Sequence, residues 1–480
     1  MRLEIEFANS DYLDRKMLQA AIDVKLEKPA AIYNYFNAGG FNTWIFDRVS
    51  KIFLMLALGG SYLFFSCFFN WRQPLEQDFK FHFSIVGIVM TFFVAIQACI
   101  HTIRLVREYD AMSYAKGIYR QLEIEDYQLS FLKWQDISYR LVERQVIENE
   151  LEVQCSVTRD DNFIIGMLDK GILVGANQLS EFYIDIFKRC MRRYMDQNTP
   201  ERLGTLFKYY GFISLLLIPY MLIYHISYTA IKYAVSVYKH PSSLFGMRWS
   251  VYSMYSCRHF NELPHEIEQR MRTASQIADK YNSLFPSLLR SKVAERLSFI
   301  VSEFIIILVV VLYLSSVEYV KFITTAMIAW NFIQSLIDSK VSKPNPSEIT
   351  LELKKILIPS HGFESEFPTT EDHQLLSRLY TFRLWYGFNE LLGVILTPVF
   401  LFYMAYNSEQ MIADYIDYNI RINDKVGIIF KGTDFNNKEG EDFGTASKLM
   451  QSYMLFESSY PMSQSIQYSK MLSSRFREGE

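Results

Sequence analysis

Long runs of apolar residues alternate with polar segments along this chain. Four of the runs are close to the length that a helix needs to cross a bilayer core: Ile52–Phe69, Phe83–Ile103, Leu297–Leu314 and Phe322–Ile337. Short connections join the first run to the second and the third to the fourth. The pattern therefore predicts two transmembrane hairpins, which cover residues 51–103 and 298–337.

Two further apolar stretches each contain a proline. Tyr209–Val237 contains Pro219, and Leu384–Tyr403 contains Pro398. Proline removes a backbone donor and its ring clashes with the preceding turn, so we expect a helix break or kink at both positions. A broken helix either spans the membrane or dips into it and returns.

The charge of the following segment favours a return to the same side. Residues 238–297 contain nine Lys and Arg against five Asp and Glu, and basic loops of this length prefer the cytosolic side. We therefore predict re-entrant hairpins at 206–238 and 384–406, with six ordinary spans as the alternative. Both chain termini are expected in the cytosol.

The remaining segments are predicted to be cytosolic and mostly helical: 1–50, 104–205, 239–297, 338–383 and 407–480. Within them, the runs "NFIIGML" and "GILVG" resemble short strands, and residues 419–435 alternate like a strand that ends in a polar loop. Residues 265–284 instead follow a helical period, and their apolar face is formed by Ile267, Met271, Ala274, Ala278 and Tyr281.

Composition narrows the class of protein further. The chain has 480 residues, a net charge of −3 and 16% aromatic residues, with 38 Phe and 32 Tyr. Aromatic side chains suit membrane interfaces, because an apolar ring and a polar tip are both satisfied there. The near-neutral charge argues against a nucleic-acid binder. Five scattered cysteines form neither a disulfide framework nor a zinc motif.

The stretch "CRHFNELPHE" at residues 257–266 raises the question of a metal site. Glu262 and His265 form an E-x-x-H unit, but di-iron bundles of that type need two such units and further glutamates. The stretch also reads as a helix start, in which Asn261 caps the helix and Pro264 opens it. We predict neither a metal nor a cofactor here. The sequence also contains no phosphate-binding loop and no nucleophile elbow, so neither an ATP-driven pump nor a lipase is indicated.

Two polar stripes run along otherwise apolar stretches. Beyond Pro219, side chains at helical spacing share one face: His225, Thr229, Lys232, Ser236 and Lys239. The second stripe lies in the last predicted span and includes Thr324, Thr325, Asn331 and Gln334. We interpret both stripes as the lining of a hydrated groove. The alternative is that these groups hydrogen-bond neighbouring helices, although Lys232 would then be costly unless it met water, an acid or a headgroup.

The order of these segments resembles the autophagy-related protein nine family. The likeness covers roughly residues 33–461 and rests on short motifs along the whole of that range: "FLKWQDISYRLV" (131–142), "TRDDNFIIGMLDKGIL" (158–173), "CRHFNELPH" (257–265), "NELLGVILTP" (389–398) and "GTASKLMQSYMLFESSYP" (444–461). Members of that family are integral-membrane phospholipid scramblases of autophagosome formation.

The resemblance implies an all-α membrane protein with four transmembrane helices and two re-entrant hairpins in each subunit. It implies a domain-swapped homotrimer around a polar pore, through which phospholipid headgroups pass. The family's basic pore segment corresponds to residues 238–240, where only Lys239 keeps a fixed charge. Thr324 and Asn331 match pore-facing polar positions. The implied partners are membrane phospholipids and a cytosolic lipid-transfer protein of the autophagy pathway.

The function expected from these features is scrambling that needs neither ATP nor any other cofactor, in preautophagosomal and Golgi-derived vesicle membranes. Such a protein catalyses no hydrolytic or redox chemistry. Two alternatives remain: a passive channel or transporter that uses the same stripes, and a structural vesicle protein that recruits cytosolic factors.

Overall fold

The computed structural model describes residues 29–67, 85–195, 202–239, 246–283, 346–357, 370–423, 427–435 and 448–460, with a few isolated positions between 296 and 306. These residues are mainly helical, which confirms the predicted helical class. Residues 29–37 are helical, and the longer helices are α1 Phe41–Cys67, α2 Ile85–Gln121, α3 Trp134–Glu143, α4 Glu150–Asp169, α5 Glu181–Met195, α6 Leu203–Lys239, α7 Val251–Ser256, α8 Pro264–Ser283, α9 Pro346–Leu357, α10 Thr370–Leu379, α11 Arg383–Tyr403, α12 Glu409–Asn419 and α13 Lys448–Ser459. The strands are β1 Met247–Trp249, β2 Tyr380–Phe382, β3 Ile420–Asn423 and β4 Gly427–Phe430.

Three of the described helical segments are long and apolar enough to cross a membrane: Gly87–Gln121, Leu203–Ser227 and Trp385–Asn419. The first predicted hairpin is helical on both sides, because α1 contains its first apolar run as far as Cys67 and α2 contains its second from Ile85 onward. A side chain at Gly59 would lie 3.2 Å from Val94, and the Thr91 hydroxyl donates to the Gly59 carbonyl. Small residues thus let the two helices approach closely. The second predicted hairpin, 298–337, lies almost entirely outside the described residues.

Of the break or kink expected at Pro219, the break is wrong, and a kink stays a prediction. Helix α6 is 37 residues long and continuous through this proline. Residues 206–238 therefore contain no hairpin turn. One interior proline costs roughly 3 kcal/mol. Unwinding a turn in an apolar environment leaves several backbone groups unpaired, at several kcal/mol each. The continuous helix is therefore the cheaper solution, and Tyr220, next to the proline, is buried.

The break expected at Pro398 is also wrong, because α11 continues through it to Tyr403. The irregularity comes later, as a single π-helical segment at Met404–Ser408 that leads into α12. Residues 384–406 therefore form no hairpin either. Whether α6 and α11 cross a membrane or end inside it stays a prediction, as does the side on which each helix ends.

The predicted strands were right in one place and wrong in two. Residues 420–430 form the hairpin β3–β4, with Ile420 opposite Phe430. The "NFIIGML" run lies inside α4 instead, where Phe163, Ile164, Ile165 and Met167 are fully buried and Leu168 is partly buried. Because both faces of this segment are covered, its apolar run does not distinguish a strand from a buried helix. The "GILVG" run is a turn, with Gly171 and Gly175 in left-handed backbone conformations.

The helix predicted for residues 265–284 is confirmed as α8. The five residues of its predicted apolar face are all buried, in a core that also contains Trp249, Leu353 and Leu379. Strands β1 and β2 pair beside this core and bring residues 247–249 against the entrance of α11. A second core surrounds Phe163, Phe187 and Phe207 and joins α4, α5 and α6 to α11 and α12.

Candidate functional site

The first polar stripe lies on α6, as the sequence predicted. His225, Thr229, Lys232, Ser236 and Lys239 all fall within this continuous helix. The His225 ring is half-buried, with its Nδ1 atom 3.1 Å from the Met221 carbonyl and the Phe182 ring edge-on at 6.3 Å. Thr229 is exposed. The side chains of Lys232, Ser236 and Lys239 lie outside the described residues, as do Thr324, Thr325, Asn331 and Gln334.

The middle of α6 packs against the first hairpin. The Tyr220 hydroxyl hydrogen-bonds Gln97 of α2, and the Tyr220 ring lies 5.2 Å from that of Phe93. Tyr220 shares a small buried cluster with Met55, Met90, Val94 and Ala98. Helix α6 is therefore held laterally by α2 just before its polar stripe begins.

The N-terminal half of α6 packs against α11 and α12. A side chain at Gly211 would meet the Phe402 ring at 3.2 Å, so glycine allows a close helix–helix approach here. The Glu409 carboxylate accepts a hydrogen bond of 2.9 Å from the Gly204 N–H in the first turn of α6. A carboxylate at this end satisfies an unpaired donor and complements the helix dipole.

A second carboxylate connects α11 to helix α5. Both oxygens of Glu390 accept from the Glu181 N–H, at 3.1 and 3.3 Å, where α5 begins. The Glu181 carboxylate in turn accepts from the Tyr386 hydroxyl and lies 3.9 Å from Arg248. The structure assigns Glu390 to the capping of α5.

The stretch at residues 257–266 forms a buried polar hub, and Asn261 is its centre. Its Oδ1 accepts from the Asn162 amide at 2.9 Å and from Thr158 at 3.3 Å, and its Nδ2 donates to the Thr433 carbonyl at 2.9 Å. The Asn261 backbone has a φ of 60°, a conformation that asparagine tolerates better than most residues. The expectation that Asn261 caps α8 is wrong, because its side chain joins α4 to the β4 region instead.

Helix α8 does begin at Pro264, as predicted. The carboxylate of Glu266 accepts from the Leu263 N–H at 3.0 Å and so caps the helix. Proline fits this first turn because its missing donor would have no helical partner there.

Charged side chains of the same stretch are buried in pairs. Arg258 donates to Asp161 at 2.7 Å, and Lys188 of α5 lies 2.5 Å from the same carboxylate. Burial alone would raise the pKa of the Asp161 carboxyl, but the two cations beside it hold that pKa below its usual range. The carboxylate therefore stays charged and joins α4, α5 and the hub.

Glu262 and His265 point to different partners, which bears on the metal question. Glu262 is bound by Arg270 at 2.8 Å and accepts from the His259 N–H at 2.9 Å. The His265 Nδ1 atom lies 2.8 Å from the Tyr33 hydroxyl. Within the described ranges, no group of three or more potential ligands is placed to hold a metal ion. The absence of a metal in the protein stays a prediction.

Helix α13 covers the hub. Its Lys448 ammonium donates to the Ser256 carbonyl at 2.6 Å, and its Ser452 hydroxyl accepts from the Phe260 N–H at 3.0 Å. Burial lowers the pKa of Lys448 to about 8. Burial also lowers the pKa of the His259 imidazole to about 4, with Arg270 acting in the same direction, so this ring is neutral near pH 7.

These features define a class: a mainly helical membrane protein in which long apolar helices are joined to more polar helices by ion pairs and by carboxylates that cap helix ends. The family model "Autophagy protein ATG9" matches residues 29–192 and 177–436. The chain therefore belongs to the ATG9 family, and that membership implies a role in autophagy.

Individual relatives are distant but span most of the chain. Autophagy-related protein 9 of Kluyveromyces lactis is 21% identical over 89% of this chain, and that of Arabidopsis thaliana is 23% identical over 77%. The alignments cover 57% and 50% of those relatives, so the chain spans little more than half of their length. The cryo-EM structure of Schizosaccharomyces pombe Atg9 matches 85% of this chain and 98% of that one, with a TM-score of 0.62 and 19% identity. This likeness supports the fold.

Sequence reasoning missed the carboxylates that connect the helices. Glu409 and Glu181 stand in ordinary polar segments, and nothing in their local pattern marks them. Their role depends on which helix end the tertiary fold brings beside them. The arginine–aspartate pair was missed for the same reason, since Asp161 and Arg258 are 97 residues apart.

Proposed function

We propose that this protein is a phospholipid scramblase of autophagosomal precursor membranes, which moves lipids between leaflets without ATP. The single observation that supports this most is the polar stripe on α6. Five polar positions recur at helical spacing on one continuous helix, directly beyond a segment that is packed against apolar neighbours. Polar side chains that faced only hydrocarbon would lack hydrogen-bond partners, so the stripe is expected to face water or lipid headgroups.

The mechanism follows from the cost of desolvation. A phospholipid headgroup loses its water if it enters hydrocarbon, and an unpaired polar group costs several kcal/mol there. A stripe of hydroxyl, imidazole and ammonium groups supplies substitute partners, while the acyl chains remain in lipid. The groove lowers a barrier and drives no net transport, so no energy source is required.

The proposal includes a homotrimer. The second stripe, with Thr324, Thr325, Asn331 and Gln334, would face the first across a pore, within one subunit or between neighbours. We further propose that a cytosolic lipid-transfer protein of the autophagy pathway delivers lipid to the cytosolic face. Preautophagosomal structures and Golgi-derived vesicles are the proposed locations.

Scrambling can be tested with the purified full chain in liposomes that contain a fluorescent phospholipid. Added dithionite destroys the fluorescence of the outer leaflet only, about half of the signal, unless lipids exchange between leaflets. We expect the signal to fall well below half without ATP or calcium. Loss of no more than the outer-leaflet signal, with insertion of the protein verified, would reject the proposal.

A passive channel is the second candidate, because the same stripe could conduct ions. The liposomes therefore also carry an ion-sensitive dye inside. Selective ion flux without dithionite access to inner-leaflet lipid would favour the channel. Scrambling with retention of the dye and of the ion gradient would favour the lipid path.

A further inference from the structure

A cavity of about 590 Å³ lies at the base of the α1–α2 pair, away from the stripe on α6. Helical residues 30–38 form one wall and the two long helices form the others. Its lining combines amides, a hydroxyl and charges with one aromatic ring: Asn34, Asn37, Thr43, Trp44, Asp47, Arg48, Lys51, Arg107 and Glu108. Its volume is in the range of sites that bind small molecules and cofactors.

The position of the cavity relative to a membrane follows from the two helices. The apolar run of α1 begins at Ile52, directly after Lys51, and the apolar run of α2 ends at Ile103, just before Arg104. The Arg48 guanidinium contacts the Glu108 carboxylate at 2.8 Å, which joins the helices at this level. The cavity therefore lies where headgroups meet the hydrocarbon.

The unpaired charge at this level is positive. Asp47 is paired with Lys51 at 2.6 Å, and Glu108 with Arg48. The Arg48 side chain is 36% exposed even though its unpartnered Nε atom is buried, and Arg107 is exposed and forms no salt bridge within the described ranges. His101, one turn deeper, interacts electrostatically with Arg104, Arg48 and Lys51. The cavity thus offers unused guanidinium donors to an anion.

We propose that this cavity binds the headgroup of an anionic phospholipid, with its phosphate beside Arg48 and Arg107 and its hydroxyl groups against Asn34 and Asn37. Guanidinium groups match phosphate oxygens in geometry and charge. Basic pockets between membrane helices on the cytosolic side suit such headgroups. The proposal needs only that α1 and α2 enter a membrane, and it stands whether or not the chain scrambles lipids.

Binding can be measured with the full chain in detergent and the probe dioctanoyl phosphatidylinositol, by titration calorimetry and native mass spectrometry. We expect the double variant Arg48→Gln/Arg107→Gln to bind at least about tenfold more weakly, because each basic group near a headgroup contributes about 1 kcal/mol. Arg120→Gln is the matched control, since Arg120 is exposed on α2 outside the cavity. It should bind like the wild type.

Further measurements distinguish binding of a lipid headgroup from binding of free phosphate, and they control for misfolding of the variant. If inorganic phosphate binds as tightly as dioctanoyl phosphatidylinositol, or if the double variant binds the lipid like the wild type, the proposal is wrong. Equal affinity for dioctanoyl phosphatidylcholine would also overturn it. Should the double variant melt early, the single variant Arg107→Gln at an exposed position replaces it, with about fivefold weaker binding expected. Dithionite scrambling of phosphatidylcholine should persist in both variants, which separates this site from the α6 path.

Discussion

The hub around Asn261 and the stripe on α6 both place polar groups among apolar ones, but they do so differently. In the hub, Arg258 and Glu262 are buried and Asp161 is largely so, and each has a protein partner at 2.7–2.8 Å. On α6, Thr229 is exposed, and the stripe follows a segment packed in apolar side chains. A buried polar group with a partner holds the fold together. A polar group on the exposed face of an apolar helix remains free to hydrogen-bond a phospholipid headgroup that moves along the helix.

The largest effect is expected in the hub. Asp161→Ala leaves the buried cation Arg258 and the partly exposed Lys188 without their shared carboxylate, which should cost about 3 kcal/mol of folding free energy. The apparent melting temperature of the purified protein should therefore fall clearly. Glu268→Ala is the matched control, since its pair with Arg272 is exposed on both sides and is worth at most about 1 kcal/mol. Equal decreases in melting temperature for the two variants would show that the Asp161 ion pairs stabilise the fold no more than an exposed surface pair does.

A pH dependence should also distinguish the hub. The pKa of His259 is about 4 in the folded protein, against about 6.5 when unfolded. The unfolded chain therefore binds more protons between these values, and stability falls as the pH decreases through this window. From pH 7 to pH 5 the loss attributable to this ring is about 2 kcal/mol. Arg270, Glu262 and Lys448 surround the ring electrostatically.

His259→Gln keeps a polar side chain without a titrating group, so this variant should lose less stability than the wild type between pH 7 and pH 5. Thermal melts at the two pH values measure this difference. Identical pH dependence in the two proteins would show that the ring is not buried in neutral form.

A smaller effect is expected where the two regions meet. Glu390→Ala removes the carboxylate that caps α5, at a cost of about 1 kcal/mol. Hydrogen exchange should become faster at the first turn of α5, residues 181–184, and remain unchanged in the hub. Glu352→Ala, at an exposed position of α9, is the control. Unchanged exchange at the first turn of α5 would mean that Glu390 does not connect α11 to α5.

The features that could be predicted from the sequence are those that helical periodicity and local chemistry determine. The buried face of α8 and its start at Pro264 were correct, because helical spacing and proline geometry are local properties. The breaks at Pro219 and Pro398 were wrong because the local cost of a proline is smaller than the cost of unpaired backbone in an apolar environment. The role of Asn261 could not be read, since its partners Asn162 and Thr433 come from distant segments.

The central claim is that the polar stripes solvate a passing headgroup. The most direct test compares Lys239→Leu/Asn331→Leu with the wild type in the dithionite assay, with light scattering of the same preparation to verify the oligomer. A lost hydrogen bond to a charged headgroup costs about 1.5–3 kcal/mol, and each 1.4 kcal/mol slows passage about tenfold. Thr102→Leu is the control, because its hydroxyl bonds only to the Ala98 carbonyl of its own helix in the described structure. We predict an intact oligomer that scrambles at least about tenfold more slowly, with the control near the wild-type rate. An intact oligomer with undiminished scrambling would contradict the account.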